Sequence, residues 1–130
     1  MSTLSVGTIK SLSSTAPVFQ NTSGTEIGQL AKAWVNFNGT GTLAIRDSFN
    51  VSSVTDVGTG AYTTNFSTSF SNTNYAAVYT ISVTNSTTTH GVAYLSTFNT
   101  GSNKLSVFAD NNSGASVDKL FVCGVFFGDN

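Results

Sequence analysis

An all-β fold, an antiparallel β-sandwich or small barrel of roughly seven or eight strands, is what three features of this sequence predict. Charge is scarce: across 130 residues only 8% are charged while 39% are hydrophobic, which gives one domain with material for a real core. Hydroxyls and amides take the place of charge, with 52 Ser, Thr and Asn residues. Such side chains compete for backbone hydrogen bonds inside helices and suit turns and the wet faces of strands. Short apolar-alternating runs also return regularly between Gly, Asn and Ser clusters, the punctuation of strands joined by tight turns. With 10 Phe and 4 Tyr the composition is not that of a disordered chain.

Residues 1–32 read as an extended arm and residues 33–130 as the sandwich knob. In the arm, Leu4 and Val6 alternate with Ser5 and Gly7. Together with Ile9 they are the contacts by which it would dock on another subunit or a larger assembly, because so little apolar surface does not fold alone. Pro17 sets an extended kink. Ile27 to Ala33 has the makings of one helical turn, which Gly28 opposes.

From Trp34 to Phe66 the strand signal is clearest. Val35 and Phe37 fall on one side of an extended segment, Trp34 and Asn36 on the other. The NGTG turn (Asn38 to Gly41) then leads into a return on which Leu43, Ile45, Asp47, Phe49 and Val51 alternate. A second hairpin pairs SVTD with AYTTNF across VGTG (Val57 to Gly60). Asp47 is the anomaly here: a carboxylate in phase with apolar neighbours requires a partner, a bulge or a different register.

After the turn cluster Ser69 to Asn74, Tyr75, Ala77, Tyr79, Ile81 and Val83 share one face of a strand. A loop at 84–91, a strand VAYLSTF, a turn at Thr100 to Asn103, a strand KLSVFAD and a loop at 111–116 follow. The closing run differs, because Leu120 to Phe127 is apolar on both faces. Leu120, Val122 and Phe126 lie on one side, Phe121, Cys123, Val125 and Phe127 on the other. A strand covered on both sides has that pattern. The second cover comes either from another subunit or from a loop of the same chain. The first reading makes Leu120, Phe121, Val125, Phe126 and Phe127 an oligomer interface, since exposed patches of this kind mark contacts. Cys123, the only cysteine, reads as a small buried hydrophobe.

For chemistry the sequence offers little, and it predicts no enzyme. His90, the only histidine, lies in a Thr-rich loop without clustered carboxylates, so no metal site or cofactor is expected. No G-x-S-x-G elbow occurs, and the glycine-rich NGTGT and VGTGA are turns rather than phosphate loops. The acids Glu26, Asp47, Asp56, Asp110, Asp118 and Asp129 are scattered, not the facing pair of a glycosidase. A net charge of -1 with five dispersed cations gives no handle on nucleic acid. MSTLSVGTIK has neither the basic start nor the apolar stretch of a signal peptide, and no run approaches a membrane span.

The segment Ala31 to Phe66 resembles a module found in tail fibres and surface appendages of tailed phages, particularly marine ones. The resemblance rests on Trp34 to Phe37, Gly39 to Gly41, Ile45-Arg46, Asn50 to Ser53, Gly58 to Gly60, Tyr62-Thr63 and Asn65-Phe66, with Asn74 to Ala76 fitting the next strand start. It implies a non-enzymatic virion protein assembled in the host cytoplasm, usually a homotrimer. The arm would bind other phage structural proteins, and loops would meet the host surface. The family motif is scaffold and carries over no ligand residue. Loops are where receptor contacts concentrate, which singles out Asn85, Thr88, His90, Asn103 and Asn112 as candidate contacts to a host glycan. A capsid decoration protein is the structural alternative. A stand-alone carbohydrate-binding module is the other, opposed by the placement of the sole Trp in a strand.

Overall fold

The computed structural model describes residues 3–10, 17–82, 91–109 and 115–129, and the chain divides into two compact units, Met1–Leu30 and Ala31–Asn130. The first unit contains a small antiparallel hairpin of β1 (Phe19–Gln20) and β2 (Glu26–Gly28). Asn21 builds its turn: Oδ1 accepts from the amides of Ser23 and Thr25 at 2.9 Å each, and Gly24 takes the positive φ. Ile27 therefore sits in a strand where one helical turn was expected. Closing this hairpin satisfies main-chain groups that a single Gly-containing turn would leave open. Thr3 to Lys10 belong to no strand, with Leu4 80%, Val6 52% and Ile9 61% exposed.

The second unit is a β-sandwich of two four-stranded antiparallel sheets. Its strands are β3 (Ala33–Asn38), β4 (Ala44–Phe49), β5 (Val51–Gly58), β6 (Ala61–Phe66), β7 (Ala76–Ser82), β8 (Gly91–Phe98), β9 (Ser102–Ala109) and β10 (Phe121–Phe127). One sheet runs β4-β3-β10-β7 and the other β5-β6-β9-β8. The predicted alternation of β3 holds, with Ala33, Val35 and Phe37 buried. Between the sheets, Val35, Phe37 and Val122 pack on Val54, Tyr62, Leu105 and Val107. At one end an aromatic cluster closes the sandwich. Phe66 meets Phe70 and Phe126 edge-on at 4.9 Å, while Phe70 stacks on Tyr75 at 4.4 Å. Phe70 comes from the polar Ser69–Asn74 cluster, where nothing in the local sequence marks a core residue.

At the other end Tyr62 joins the two layers. Its Oη bonds Asp118 Oδ1 at 2.6 Å and Gly39 O at 3.0 Å, and Asp118 Oδ1 also accepts from the Gly60 amide at 2.7 Å. Burial, followed by the hydrogen bond to Asp118 and the charges of Asp118 and Asp56, pushes the Tyr62 hydroxyl well above the usual tyrosine range. Gly60 takes φ 66, a left-handed conformation that favours glycine, and an added Cβ there would collide with the Val107 and Val117 backbone.

Two irregularities position the outer surface. A bulge opposite Asn36/Phe37 leaves Arg46 as the extra residue, so Ile45 lies opposite Phe37, although 36% exposed on this edge strand, and Asp47 opposite outward Asn36. Asp47 thus resolves as the bulge among the alternatives open from sequence. Then Asn50, at φ 53, turns the chain from one sheet into the other. Its side chain donates to Lys32 O and Thr68 O at 3.1 Å each and accepts from the Thr68 amide at 2.7 Å. Val51 consequently starts β5 in the second sheet instead of ending the strand that contains Phe49.

Candidate functional site

β10 is a central strand, paired with β3 on one side and β7 on the other. Val122, Gly124 and Phe126 point into the core, so Phe121, Cys123, Val125 and Phe127 point out. Of the residues expected at an oligomer interface, Phe126 is thereby corrected: it is fully buried among Phe66, Tyr75 and Tyr79 of its own chain. Leu120 precedes the strand in phase with Val122 and is half-buried. Phe121, Val125 and Phe127 remain on the outward face. Cys123 is half-buried on that same face, not in the core, because it shares parity with Phe121 and Val125.

Register organises this face into rows. Phe49 lies opposite Trp34, Trp34 opposite Val125, and Val125 opposite Val78, so one apolar row crosses all four strands. Its two ends are the most open, with Phe49 53% and Val78 59% exposed, and Trp34 and Val125 are half-buried between them. The next row, Asp47, Asn36, Cys123 and Thr80, is polar apart from the thiol. Beyond it Arg46 reaches across β3. Its guanidinium donates to Asn36 Oδ1 at 3.2 Å and Leu120 O at 2.7 Å and lies 4.1 Å from the centre of the Phe121 ring. Arg46 therefore covers Phe121 by a cation–π contact. Each half-exposed side chain of the row offers roughly 1 kcal/mol on being covered.

Among the expected glycan contacts, Asn103 is the second correction. Strand β9 begins at Ser102, and parity with Leu105 and Val107 turns Asn103 inward, where it is 0% exposed. Its Nδ2 donates to Tyr75 Oη and Thr97 O at 3.2 Å each. Asn85, Thr88, His90 and Asn112 lie outside the described residues. Among the described residues no group of three His, Cys, Asp or Glu side chains is placed to hold a metal ion, and no helix is long and apolar enough to cross a membrane.

Sequence reasoning did not single out Trp34, Phe49 and Val78 as surface residues. The signal was available in part: Trp34 alternates against Val35 and Phe37. The bulge that puts Phe49 beside it has no compositional mark. Comparisons with protein-family models, curated proteins and solved structures returned no match to this chain.

Proposed function

We propose that this protein is a non-enzymatic structural component of a phage particle, a sandwich knob that assembles with copies of itself, as a trimer, and serves host attachment. The observation that carries the assembly part is the apolar row Phe49–Trp34–Val125–Val78, with Phe127 next to it along β10, on the outer face of one sheet. A wet antiparallel sheet carries polar groups outside, and a continuous apolar row there is better explained by a partner. The phage assignment rests on the likeness of residues 31–66 to appendage modules, and the exposed Leu4, Val6 and Ile9 suit an attachment arm. Light scattering of the full chain at micromolar concentration is expected to give the mass of three copies. Purified particles probed with an antibody to the knob are expected to be decorated at the tail. Labelling of the head would favour capsid decoration, and single copies with no particle labelling would overturn the proposal.

A second reading has an observation of its own. Trp34 lies in a strand, yet it faces outward beside exposed Phe49, and Asn36, Asp47 and Thr80 occupy the adjoining row. Aromatic rings flanked by hydrogen-bonding groups suit the stacking of sugar rings. Quenching of Trp34 fluorescence by host polysaccharide, in a protein that remains a single copy, would favour this carbohydrate-binding reading.

A further inference from the structure

Four strands form the edges of the two sheets, and three of them are interrupted or charged. β4 contains the bulge at Arg46 together with the charge of Asp47. β5 shifts register near both ends and carries Asp56, and β8 shifts between Leu95 and Thr97. These are the devices that keep an edge from pairing with a foreign strand. β7 has none of them. Its sequence AAVYTIS has no charge and no proline, and all seven residues pair with β10 in unbroken register. Among the described residues β10 is its sole strand partner, so the edge of β7 away from β10 has no paired strand, although β8 of the other sheet comes near β7.

We infer that this edge takes an added strand, the segment Thr3–Lys10 of a second copy. This inference rests on the assembled-knob reading and names the contact that would build it. The segment is extended in composition, uncharged as far as Ile9, and belongs to no strand. Its reach matches: at roughly 3.3 Å per residue, eight residues span about 26 Å against about 23 Å for the seven of β7. Chemistry matches as well. Leu4 and Val6 share one side of an extended strand, and Val78 ends the apolar row at the β7 edge. With Leu4 and Val6 on that side, the row Phe49–Trp34–Val125–Val78 continues onto the incoming strand. Main-chain bonds would give affinity and the apolar row would set register, the division of labour in strand addition. Passing each arm to the next copy closes a ring in which every copy's β7 edge is paired.

The test uses the full chain with two single substitutions, Val6→Asp and Val78→Lys, both at exposed side chains. Light scattering reports assembly, and hydrogen exchange reports the β7 amides. Assembled wild type, single copies for both variants, and at least tenfold faster exchange across 76–82 in Val6→Asp are expected. A synthetic peptide of residues 3–10 is expected to slow that exchange again. Assembly that survives Val6→Asp with unchanged β7 exchange overturns the arm contact and leaves the assembled knob standing. A wild type that is a single copy at every concentration overturns both.

Discussion

The two sheets of this sandwich share an architecture and differ in the chemistry of their outer faces. On β4-β3-β10-β7 the outward row is Phe49, Trp34, Val125 and Val78. The corresponding row on β5-β6-β9-β8 is Thr55, Thr63, Lys104 and Thr97. There the side chains bond one another: Asn65 Nδ2 donates to Ser53 Oγ at 3.0 Å and Thr55 Oγ1 at 3.1 Å. Both sheets bury the same kind of inner face, so folding alone does not require the difference. It teaches that apolar residues in this chain serve two ends, the shared core and one outer surface. Strand β10 serves both at once.

The sharpest way to separate those ends is to cut β10 on each side. Phe126→Ala removes a fully buried ring from an aromatic cluster. It is expected to cost about 3–5 kcal/mol of folding stability, read by chemical denaturation. Converting the outer row to the other sheet's chemistry, with Trp34→Thr and Val125→Thr together, is expected to leave the fold cooperative and weaken self-association. An anchor in an interface is worth about 2 kcal/mol or more, roughly thirtyfold in affinity. Sedimentation at several concentrations measures this. An unfolded double variant would mean that the row belongs to the core after all.

The sequence disclosed the inner faces better than the outer ones. Alternation placed Val35, Phe37, Tyr75, Leu105 and Val107 correctly because burial selects strictly at every second residue. The two-faced apolar run at 120–127 rightly marked an unusual strand, yet its inner half is satisfied within the chain. Three features escaped for physical reasons. A bulge inserts one residue at Arg46 without changing composition, so the phase of Asp47 and Phe49 was misleading. Asn50 changes sheets through a single positive φ, which a Ser/Asn-rich sequence does not advertise. Phe70 and Asn103 sit in stretches that read as polar turns; the aromatic cluster draws Phe70 inward, and Asn103 turns inward because β9 already begins at Ser102.

Two intermediate effects sharpen the contrast within the apolar sheet. Gly124 lies under the Tyr79 ring, where an added Cβ would come 2.6 Å from Cε1. Gly124→Ala is therefore expected to cost about 1–3 kcal/mol by overpacking, a loss read as a lower melting temperature. Alkaline pH is expected to act on the same interior. Burial raises the hydroxyls of Tyr79, Tyr62 and Tyr75 above the usual value near 10. Above that pH the unfolded chain has released protons that the folded one retains, so stability is complete below about pH 10 and falls as pH rises further. Melting temperature followed from pH 8 to 11.5 checks the sign, and Tyr79→Phe is expected to make the decline shallower.

The smallest expected effect is the mirror experiment on the polar sheet. Thr63 lies outward between Thr55 and Lys104. Thr63→Val keeps the shape and β-branching of the side chain, so folding stability is expected to move by no more than about 0.5 kcal/mol. One valine among Thr55, Lys104 and Asn65 does not make a row, because its cross-strand neighbours stay hydrated. Self-association is therefore expected to be unchanged by sedimentation, in contrast to the loss when Trp34 and Val125 become threonine. If Thr63→Val alone raised association as much as the reverse exchange lowers it, any apolar outer residue would suffice. The contiguous row across four strands would then lose its claim to be the specific surface.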